Sequence, residues 1–325
     1  MPNSPSRLLQ TLSQNLFPKL PDQEQFIQAL LQPQPYPPAI LWIQPKPAVL
    51  PFAIAPAVAW QPSFVDRLSL ESKPGKHPLH DQGAYYCLDL SSVFAAVPLM
   101  ELAAKAPKTN LVVDLCAAPG GKSLFAWRSI QPDLLLCNEV IGKRLGMLIS
   151  NLKRCQVDPV AVLHGDVATL APVLCQSADV VIVDAPCSGQ SLLAKRTKVE
   201  GCFHPVTIRH NQRRQKRILA AAADLVAPQG WLLYSTCTFS KAENEGAIAW
   251  FLSKFPQFQP QAVLALKDWQ SHLAPFPCYR LWPQSGLGAG AFTVLLHNSA
   301  PSEPESEPQP LGTDWKRYQK WSSFD

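Results

Sequence analysis

The sequence predicts an α/β fold in which strands and helices alternate around a mostly parallel sheet. From residue 111 onward, short apolar runs typical of buried strands alternate with longer segments of helical periodicity. A glycine-rich turn joins the first of these runs to its helix, and two cysteine motifs each follow a later run. Ligands bind such sheets at the carboxyl edge of the strands, so we expect the functional residues there.

The periodicity predicts the following elements in chain order. Near the N-terminus we expect helices near Leu8–Leu16 and Gln23–Leu31, then a proline-rich stretch at 32–61 that contains a short strand at Ala39–Ile43. A helix follows over Ser91–Ala104. Strands are predicted at Leu111–Leu115, Leu134–Cys137, Val160–Leu163, Val180–Val183, Trp231–Tyr234 and Phe292–His297, and helices at Ser123–Ser129, Lys143–Cys155 and Thr207–Leu225. Ser240 and Glu243 have the spacing of a capping box for a last helix that ends near Phe255.

Changes in composition divide the chain into three parts. Residues 1–90 form a smaller N-terminal α/β domain, and residues 91–298 form the domain with the alternating elements. Residues 299–325 begin as a linker rich in proline, glutamate and serine and end in a short tail with aromatic residues and lysines. The sequence leaves open whether this tail docks on the body of the protein or on a partner.

The composition limits the class of protein. The chain has 325 residues, 47% of them hydrophobic, and a net charge of +5, which permits nucleic-acid binding without requiring it. Its nine cysteines include no C-x-x-C pair, so we expect reduced thiols and no metal site. The most apolar window, Ala48–Trp60, is short and broken by prolines, and we therefore expect no membrane segment. We expect a cytoplasmic monomer.

The turn after the first strand has the features of a nucleotide-binding loop. It runs from Asp114 to Ser123 and contains Gly120 and Gly121, which allow the backbone to approach a ligand closely. Glu139 ends the second strand, where an acid can accept hydrogen bonds from ribose hydroxyls. Asp166 follows the third strand, in a position suited to an adenine amine. Together these residues predict a ligand that contains adenosine.

This turn differs from two other nucleotide-binding motifs. Residues 121–123, Gly-Lys-Ser, resemble the end of a phosphate-binding P-loop, but Cys116 occupies the position of that motif's first glycine. The dinucleotide fingerprint G-x-G-x-x-G is absent from the turn. Both mismatches argue against a nucleoside triphosphatase and a dehydrogenase.

Two cysteines 50 positions apart lie just beyond two predicted strands. Cys187 belongs to Asp184-Ala-Pro-Cys-Ser-Gly, and Cys237 belongs to Ser235-Thr-Cys-Thr. If both strands share one parallel sheet, the two thiols and the Asp184 carboxylate meet in one cleft at its carboxyl edge. This combination suits nucleophilic chemistry on an electrophilic ring carbon.

These motifs resemble the Nop/Sun class of RNA cytosine-C5 methyltransferases, which use S-adenosylmethionine. The resemblance covers residues 80–297 and rests on four motifs in order, which begin at Leu115, Asp184, Ser235 and Arg280. It implies a seven-stranded, Rossmann-like methyltransferase sheet. It also implies that the N-terminal domain contacts RNA and has the shape of an RNA-recognition motif.

The resemblance also implies the roles of individual residues. Glu139 would bind the ribose of the methyl donor, Asp166 its adenine, and Asp184 would lie near its methionine part and the target base. Cys237 would be the nucleophile, and Cys187 would assist product release. The residues that would wrap the donor are Cys116, Ala117, Ala118, Pro119, Gly120, Gly121 and Lys122.

The reaction explains why these residue types are required. Addition of the Cys237 thiolate to C6 of cytosine makes C5 nucleophilic enough to accept a methyl group. A nearby cation such as Lys122 would lower the pKa of this thiol. Asp184, kept partly protonated in a dry cleft, would donate a proton to N3 of the ring. A base must leave its stack to reach the thiols, which favours single-stranded or loop RNA.

A basic segment follows the first cysteine motif and is expected to contact phosphates. We expect the contacts from Lys195, Arg196, Lys198, Arg209 and Arg213. Ribosomal RNA is the first candidate for the substrate and transfer RNA the second. Two other hypotheses remain: a non-catalytic RNA-binding factor for ribosome assembly, and a methyltransferase that acts on DNA.

Overall fold

The N-terminal part of the protein forms three helices and a small antiparallel sheet. In the computed structural model, which describes residues 4–105, 108–302 and 312–323, this sheet has the strand order β2-β1-β3. The elements are α1 (Arg7–Leu16), α2 (Leu20–Leu31), β1 (Ala39–Trp42), β2 (Val65–Arg67), α3 (Pro78–Asp81) and β3 (Tyr85–Leu88). The predicted helices near Leu8–Leu16 and Gln23–Leu31 are thus present, as is the strand at Ala39–Ile43.

The rest of the chain alternates between strands and helices as the sequence predicts. The helices are α4 (Leu90–Ala96), α5 (Met100–Lys105), α6 (Gly121–Ile130), α7 (Gly142–Arg154), α8 (Val167–Leu170), α9 (Pro205–Leu225) and α10 (Glu245–Lys254). The strands are β4 (Leu111–Asp114), β5 (Leu134–Asn138), β6 (Val160–Leu163), β7 (Ala178–Asp184), β8 (Val226–Thr236), β9 (Phe258–Gln261), β10 (Tyr279–Leu281), β11 (Ala291–Asn298) and β12 (Gln319–Ser322).

These strands form one large sheet with the order β10-β11-β8-β7-β4-β5-β6-β12, and β9 also pairs with β11. The five central strands of this order, β8-β7-β4-β5-β6, are parallel to one another, whereas β11 is antiparallel to β8. The predicted Rossmann-like methyltransferase fold is confirmed. The short strands β10 and β12 extend the sheet beyond the seven strands expected.

Both faces of the sheet are buried, which explains why its parallel strands are apolar without alternation. Val112 and Ile182 belong to the hydrophobic cluster on one face, and Val113 and Val183 belong to the cluster on the other face. Successive residues of a strand point to opposite faces, so each apolar run contributes to two cores.

Two predicted helical features differ in the structure. The helix predicted over Ser91–Ala104 is divided into α4 and α5 by a 3-10 turn at Val97–Leu99. Its central residue, Pro98, has no N–H group with which to continue the α-helical hydrogen bonds. The predicted capping box is wrong: helix α10 begins at Glu245 with Asn244 as its N-cap. The Ser240 Oγ does accept from the Glu243 N–H, but the Glu243 carboxylate bonds to Ser188.

The C-terminal tail packs on the body of the protein. Strand β12 pairs antiparallel with β6 at the edge of the sheet, and Trp315 is buried against the adjacent core. The Ser323 Oγ accepts a hydrogen bond from the Val160 N–H at 3.0 Å. Most of the predicted linker, residues 303–311, and residues 324–325 lie outside the described residues. The domain boundaries at residues 90 and 298 stay predictions.

No helix in the described part of the chain is long and apolar enough to cross a membrane.

A buried ion pair fixes the segment that follows the second cysteine motif. The Arg280 guanidinium donates to both Glu245 carboxylate oxygens, at 2.7 and 2.6 Å, and to the Phe239 carbonyl at 3.2 Å. The Glu245 carboxyl has a lowered pKa, because Arg280 outweighs the opposing effect of burial. Arg280 therefore links strand β10, helix α10 and the loop that carries Cys237.

Replacing Arg280 with methionine should lower the free energy of unfolding by about 3–5 kcal/mol, because it leaves the Glu245 charge buried without a partner. Urea unfolding at neutral pH would measure this loss. The double variant Arg280→Met/Glu245→Met should recover part of it, since no isolated charge remains. A single variant as stable as the wild type would show that the pair does not support the fold.

Candidate active site

The parallel register of β7 and β8 brings the two cysteine motifs together. Asp184, at the end of β7, lies opposite Ser235 near the end of β8. The loops that follow therefore leave the sheet side by side, and the Cys187 Sγ lies 3.3 Å from the Cys237 Sγ. The expectation that both thiols share one cleft at the carboxyl edge agrees with this geometry.

Glu243 holds these two loops against each other. Its carboxylate is buried and accepts hydrogen bonds from the Ser188 N–H at 2.9 Å and the Ser188 hydroxyl at 2.6 Å. The Gln215 side chain on α9 donates to the same carboxylate at 3.0 Å. Burial raises the pKa of Glu243, and these three donors oppose that effect. The residue that follows Cys187 is thus fixed to the segment that follows Cys237.

The two thiols differ in their electrostatics. A hydrogen bond from the Cys187 thiol lowers the pKa of Cys237, and the charges of Lys122 and Lys195 act in the same direction, against burial and Asp184. The pKa of Cys187 is raised well above its ordinary value, first by this hydrogen bond to Cys237 and then by burial. Cys237 is therefore the more acidic thiol of the pair.

Asp184 is paired with a cation at the mouth of this site. The Lys122 Nζ lies 2.7 Å from its Oδ2, and the Ser235 hydroxyl donates to its Oδ1 at 3.0 Å. The Lys122 side chain is only 11% exposed. The Asp184 carboxylate thus accepts from the Lys122 ammonium, and the predicted role of Asp184 in proton donation to N3 stays a prediction.

The glycine-rich turn is shaped by the buried Asp114. Its carboxylate accepts from the Ser123 hydroxyl at 2.6 Å and from the Cys116 N–H at 3.3 Å. These bonds connect the start of the turn at Asp114 with its end at Ser123. Burial raises the pKa of Asp114 to about 7. Gly120 precedes α6 with a φ of 113°, in the region that favours glycine.

A cavity of about 480 Å³ joins the turn to the two thiols. Such a volume lies within the range of sites for small ligands. Its wall includes Cys116, Lys122, Glu139, Asp184, Cys187 and Cys237. With Ala118, Pro119 and Lys195, which also line it, the structure brings nine of the predicted site residues to one cavity.

Glu139 lines this cavity with a buried carboxylate that is paired with a cation. Its carboxylate is buried, and its Oε1 accepts from the Ile141 N–H at 2.8 Å. Its Oε2 has no hydrogen-bond partner, although the Arg144 Nη1 lies 3.2 Å away as an ion pair. The apolar side chains of Val140 and Ile141 line the wall beside it. A ribose hydroxyl and an adjacent purine fit this set of groups.

The structure places Asp166 differently from the prediction. Asp166 is not among the residues that line the cavity. Its Oδ1 caps helix α8 by accepting from the Ala168 N–H at 3.0 Å, and its Oδ2 pairs with Arg217 at 3.0 Å. Two basic residues that the sequence analysis did not select, Arg144 and Arg214, do line the cavity. No local motif distinguishes them, because only the packing of their helices places them there.

The five predicted RNA contacts occupy different surroundings. Lys195 lines the cavity and pairs with Asp89 at 3.4 Å. Arg196 donates to the Pro33 carbonyl, and Lys198 pairs with Glu200 at 3.3 Å. Arg209 and Arg213 lie on the exposed face of α9. Within residues 4–105, 108–302 and 312–323, no cluster of His, Cys, Asp or Glu is suited to hold a metal ion.

Comparison with known families identifies the chain. Residues 100–297 match the family model described as 16S rRNA methyltransferase RsmB/F. The chain belongs to this family. The resemblance to the Nop/Sun class that the motifs indicate is thereby confirmed. The RsmB/F match covers the donor turn, both cysteine motifs and the Arg280 segment.

The RsmB/F chain is similar in sequence to curated proteins named ribosomal RNA small subunit methyltransferase F. It is 32% identical over 234 residues to the ribosomal RNA small subunit methyltransferase F of Klebsiella pneumoniae (strain 342), a match that covers 70% of this chain and 48% of that protein. The protein of the same name from Cronobacter sakazakii is 28% identical over 259 residues, which cover 77% and 53% of the two chains. The chain therefore spans about half the length of these relatives.

Solved structures support the fold of this family member. A methyltransferase homologue from Pyrococcus horikoshii aligns with a TM-score of 0.73 and 22% identity, and covers 91% of this chain and 96% of that one. NSun6 from the same organism, solved with SFG, aligns with a TM-score of 0.69 and 18% identity over 91% and 99% of the chains. At these identities the likeness concerns the fold.

Removing the hydrogen bond from Cys187 should raise the pKa of Cys237, because the Cys237 thiolate loses its donor. We expect the pH midpoint for alkylation of Cys237 by iodoacetamide to rise by about one to two pH units in Cys187→Ala. Peptide mass spectrometry would follow Cys237, with the exposed Cys175 as an internal reference. Cys187→Ser keeps an O–H donor and should show a smaller rise. A midpoint that falls in Cys187→Ala would mean that the two thiols have the opposite charge states.

Proposed function

We propose that this protein transfers a methyl group from S-adenosylmethionine to C5 of a cytosine in RNA, with ribosomal RNA as the favoured substrate. The observation that carries the proposal is the pair of thiols 3.3 Å apart, in a cavity that also contains the glycine-rich turn and the Lys122–Asp184 pair. The printed names of the relatives, ribosomal RNA small subunit methyltransferases, support ribosomal RNA.

The donor would occupy the part of the cavity beside Glu139. Its ribose hydroxyls would donate to the Glu139 carboxylate, whose Oε2 makes no hydrogen bond within the protein, and Val140 and Ile141 would pack against its adenine. The turn at residues 116–122 would then face its methionine end, next to Lys122 and Asp184. S-adenosylmethionine supplies an electrophilic methyl group on a sulfonium.

Cys237 is assigned as the nucleophile because it lines the cavity and its thiol has the lower pKa of the pair. Its thiolate would add to C6, and the electron pair of the C5–C6 double bond would then become available at C5 to form the bond to the methyl group. The bond between that methyl group and the sulfonium sulfur breaks at the same time, so that S-adenosylhomocysteine is the leaving group. Loss of the C5 proton then restores the double bond and releases the Cys237 thiolate. We assign the uptake of this proton to a water molecule that accepts a hydrogen bond from the Cys187 thiol and passes the proton to solvent. The Cys187 thiol also stabilises the departing Cys237 thiolate.

The Lys122–Asp184 pair suits the polar edge of cytosine. Cytosine presents an N4 amino donor beside the N3 acceptor, whereas uracil presents an acceptor at O4 beside an N3 donor. The carboxylate of Asp184 and the ammonium of Lys122, 2.7 Å apart, offer the complementary acceptor and donor. In this arrangement Lys122 donates to N3 and thereby favours thiolate addition to C6. A buried site that pairs both groups would reject uracil strongly.

The two thiols should behave differently when each is removed. Cys237→Ala should abolish transfer of labelled methyl groups from S-adenosylmethionine to RNA from cells that lack the protein, and it should trap no RNA. Cys187→Ala should slow release and accumulate a covalent protein–RNA adduct that survives denaturing gels. Cys175→Ala, a change at an exposed thiol, serves as the control.

The position of the label decides between the hypotheses. Recovery of 5-methylcytosine at one site of ribosomal RNA supports the proposal, and a site in transfer RNA corrects the substrate. Donor binding without methyl transfer to any RNA, DNA or assembling particle supports a non-catalytic factor. An adduct trapped by Cys237→Ala reverses the two roles.

Glu139 and Asp166 should contribute unequally to donor binding. Glu139→Gln removes the charge that accepts the ribose hydroxyls, and we expect Kd for S-adenosylhomocysteine to rise roughly tenfold or more. Asp166→Asn retains a good helix cap and should change Kd by less than about threefold. Isothermal titration calorimetry would measure both. If Asp166→Asn lost as much affinity as Glu139→Gln, Asp166 would bind the adenine of the donor, as the sequence predicts.

A further inference from the structure

Helix α9 carries an exposed row of basic side chains that begins at the catalytic cavity. We call Arg209, His210, Arg213 and Arg214 the α9 track. Arg209 and Arg213 are four residues apart and therefore lie on one face of the helix, about 6 Å apart along its axis. Two shallow surface clefts are lined by α9 residues alone: one by Val206, Arg209, His210 and Arg213, and the other by His210, Arg213, Arg214 and Arg217.

The charges of the α9 track are not neutralised by the protein. In the described part of the chain, none of the three track arginines has a carboxylate within 4.0 Å, the limit for an ion pair. The other basic residues that line the cavity do have such partners: Lys122 pairs with Asp184, Arg144 with Glu139 and Lys195 with Asp89. An unpaired row of guanidinium groups is a surface suited to an anionic polymer.

Helix α9, which carries the α9 track, is hydrogen-bonded to the loops that carry the two thiols. Arg214 lines the same cavity as Cys187 and Cys237. The opposite face of α9 is buried, and there Gln215 donates to the Pro186 carbonyl at 3.1 Å and to the Glu243 carboxylate at 3.0 Å. The helix that presents the guanidinium groups is therefore fixed to both loops that present the thiols.

We propose that the α9 track binds the phosphates of the RNA strand on one side of the target cytosine and leads that strand into the cavity. This inference rests on the proposed function. It replaces part of the predicted contact set, because Arg196 is used by the Pro33 carbonyl and Lys198 by Glu200. The occupant is single-stranded, since the target base must be unstacked before it reaches the thiols.

The salt dependence of RNA binding tests the track directly. The probe is a short oligouridylate with one central cytosine, titrated into the full chain at several salt concentrations. Each lost phosphate contact to a single strand reduces the slope of log K against log salt by about 0.7. We expect this reduction for Arg209→Gln and for Arg213→Gln, and about twice as much for the double variant.

Lys216→Gln is the matched control. Lys216 belongs to the same helix and loses the same charge, but its ammonium lies over the Trp250 ring at 5.3 Å, away from the clefts. For Lys216→Gln, the slope of log K against log salt should stay at the wild-type value. Equal reductions in all three single variants would mean that only net charge matters, and no reduction in any of them would place the RNA elsewhere; either result overturns the track.

The binding assay needs no methyl transfer, so the track and the proposed function can fail separately. Reduced slopes without any methylated product would leave the track standing and remove the proposed chemistry. Methylated RNA with wild-type slopes in Arg209→Gln and Arg213→Gln would leave the chemistry standing and remove the track.

Discussion

The active site depends on one buried carboxylate, that of Glu243. Three hydrogen bonds, two from Ser188 and one from Gln215, converge on it, and its backbone carbonyl accepts another from the Tyr234 hydroxyl at 2.7 Å. It therefore connects the loop after β7, the loop after β8 and helix α9. Burying a charge is costly unless it is fully paired, and here the pairing also sets the distance between the two thiols.

The parallel sheet could be predicted from the sequence because its physical cause is local. Strands buried on both faces are apolar without alternation, and glycine or cysteine motifs directly follow them. Those rules place Cys187, Cys237 and Glu139 at the carboxyl edge, and the structure puts all three on one cavity. The boundaries differ by a few residues, since helix ends and strand ends depend on neighbouring elements.

The partners of charged side chains could not be predicted in the same way. Local spacing assigns Glu243 to a capping box, whereas its carboxylate binds Ser188, 55 positions away along the chain. Asp166 similarly forms an ion pair with Arg217 on α9, and Asp184 forms one with Lys122 on α6. Each pairing depends on how helices pack on the sheet, and a single sequence contains no local pattern for that packing. The same holds for strand β12, whose partner β6 is more than 150 residues earlier.

Strand β12 has a consequence for the colloidal behaviour of the protein. Without it, β6 would be the last strand on its side of the sheet, and the apolar run Val160–Leu163 would present unpaired backbone groups. Bare edges of this kind recruit strands from other molecules and lead to aggregation. With β12 in place, the edge is instead a four-residue strand that carries the exposed Lys320, and a short, charged edge of this kind disfavours pairing with strands of other molecules.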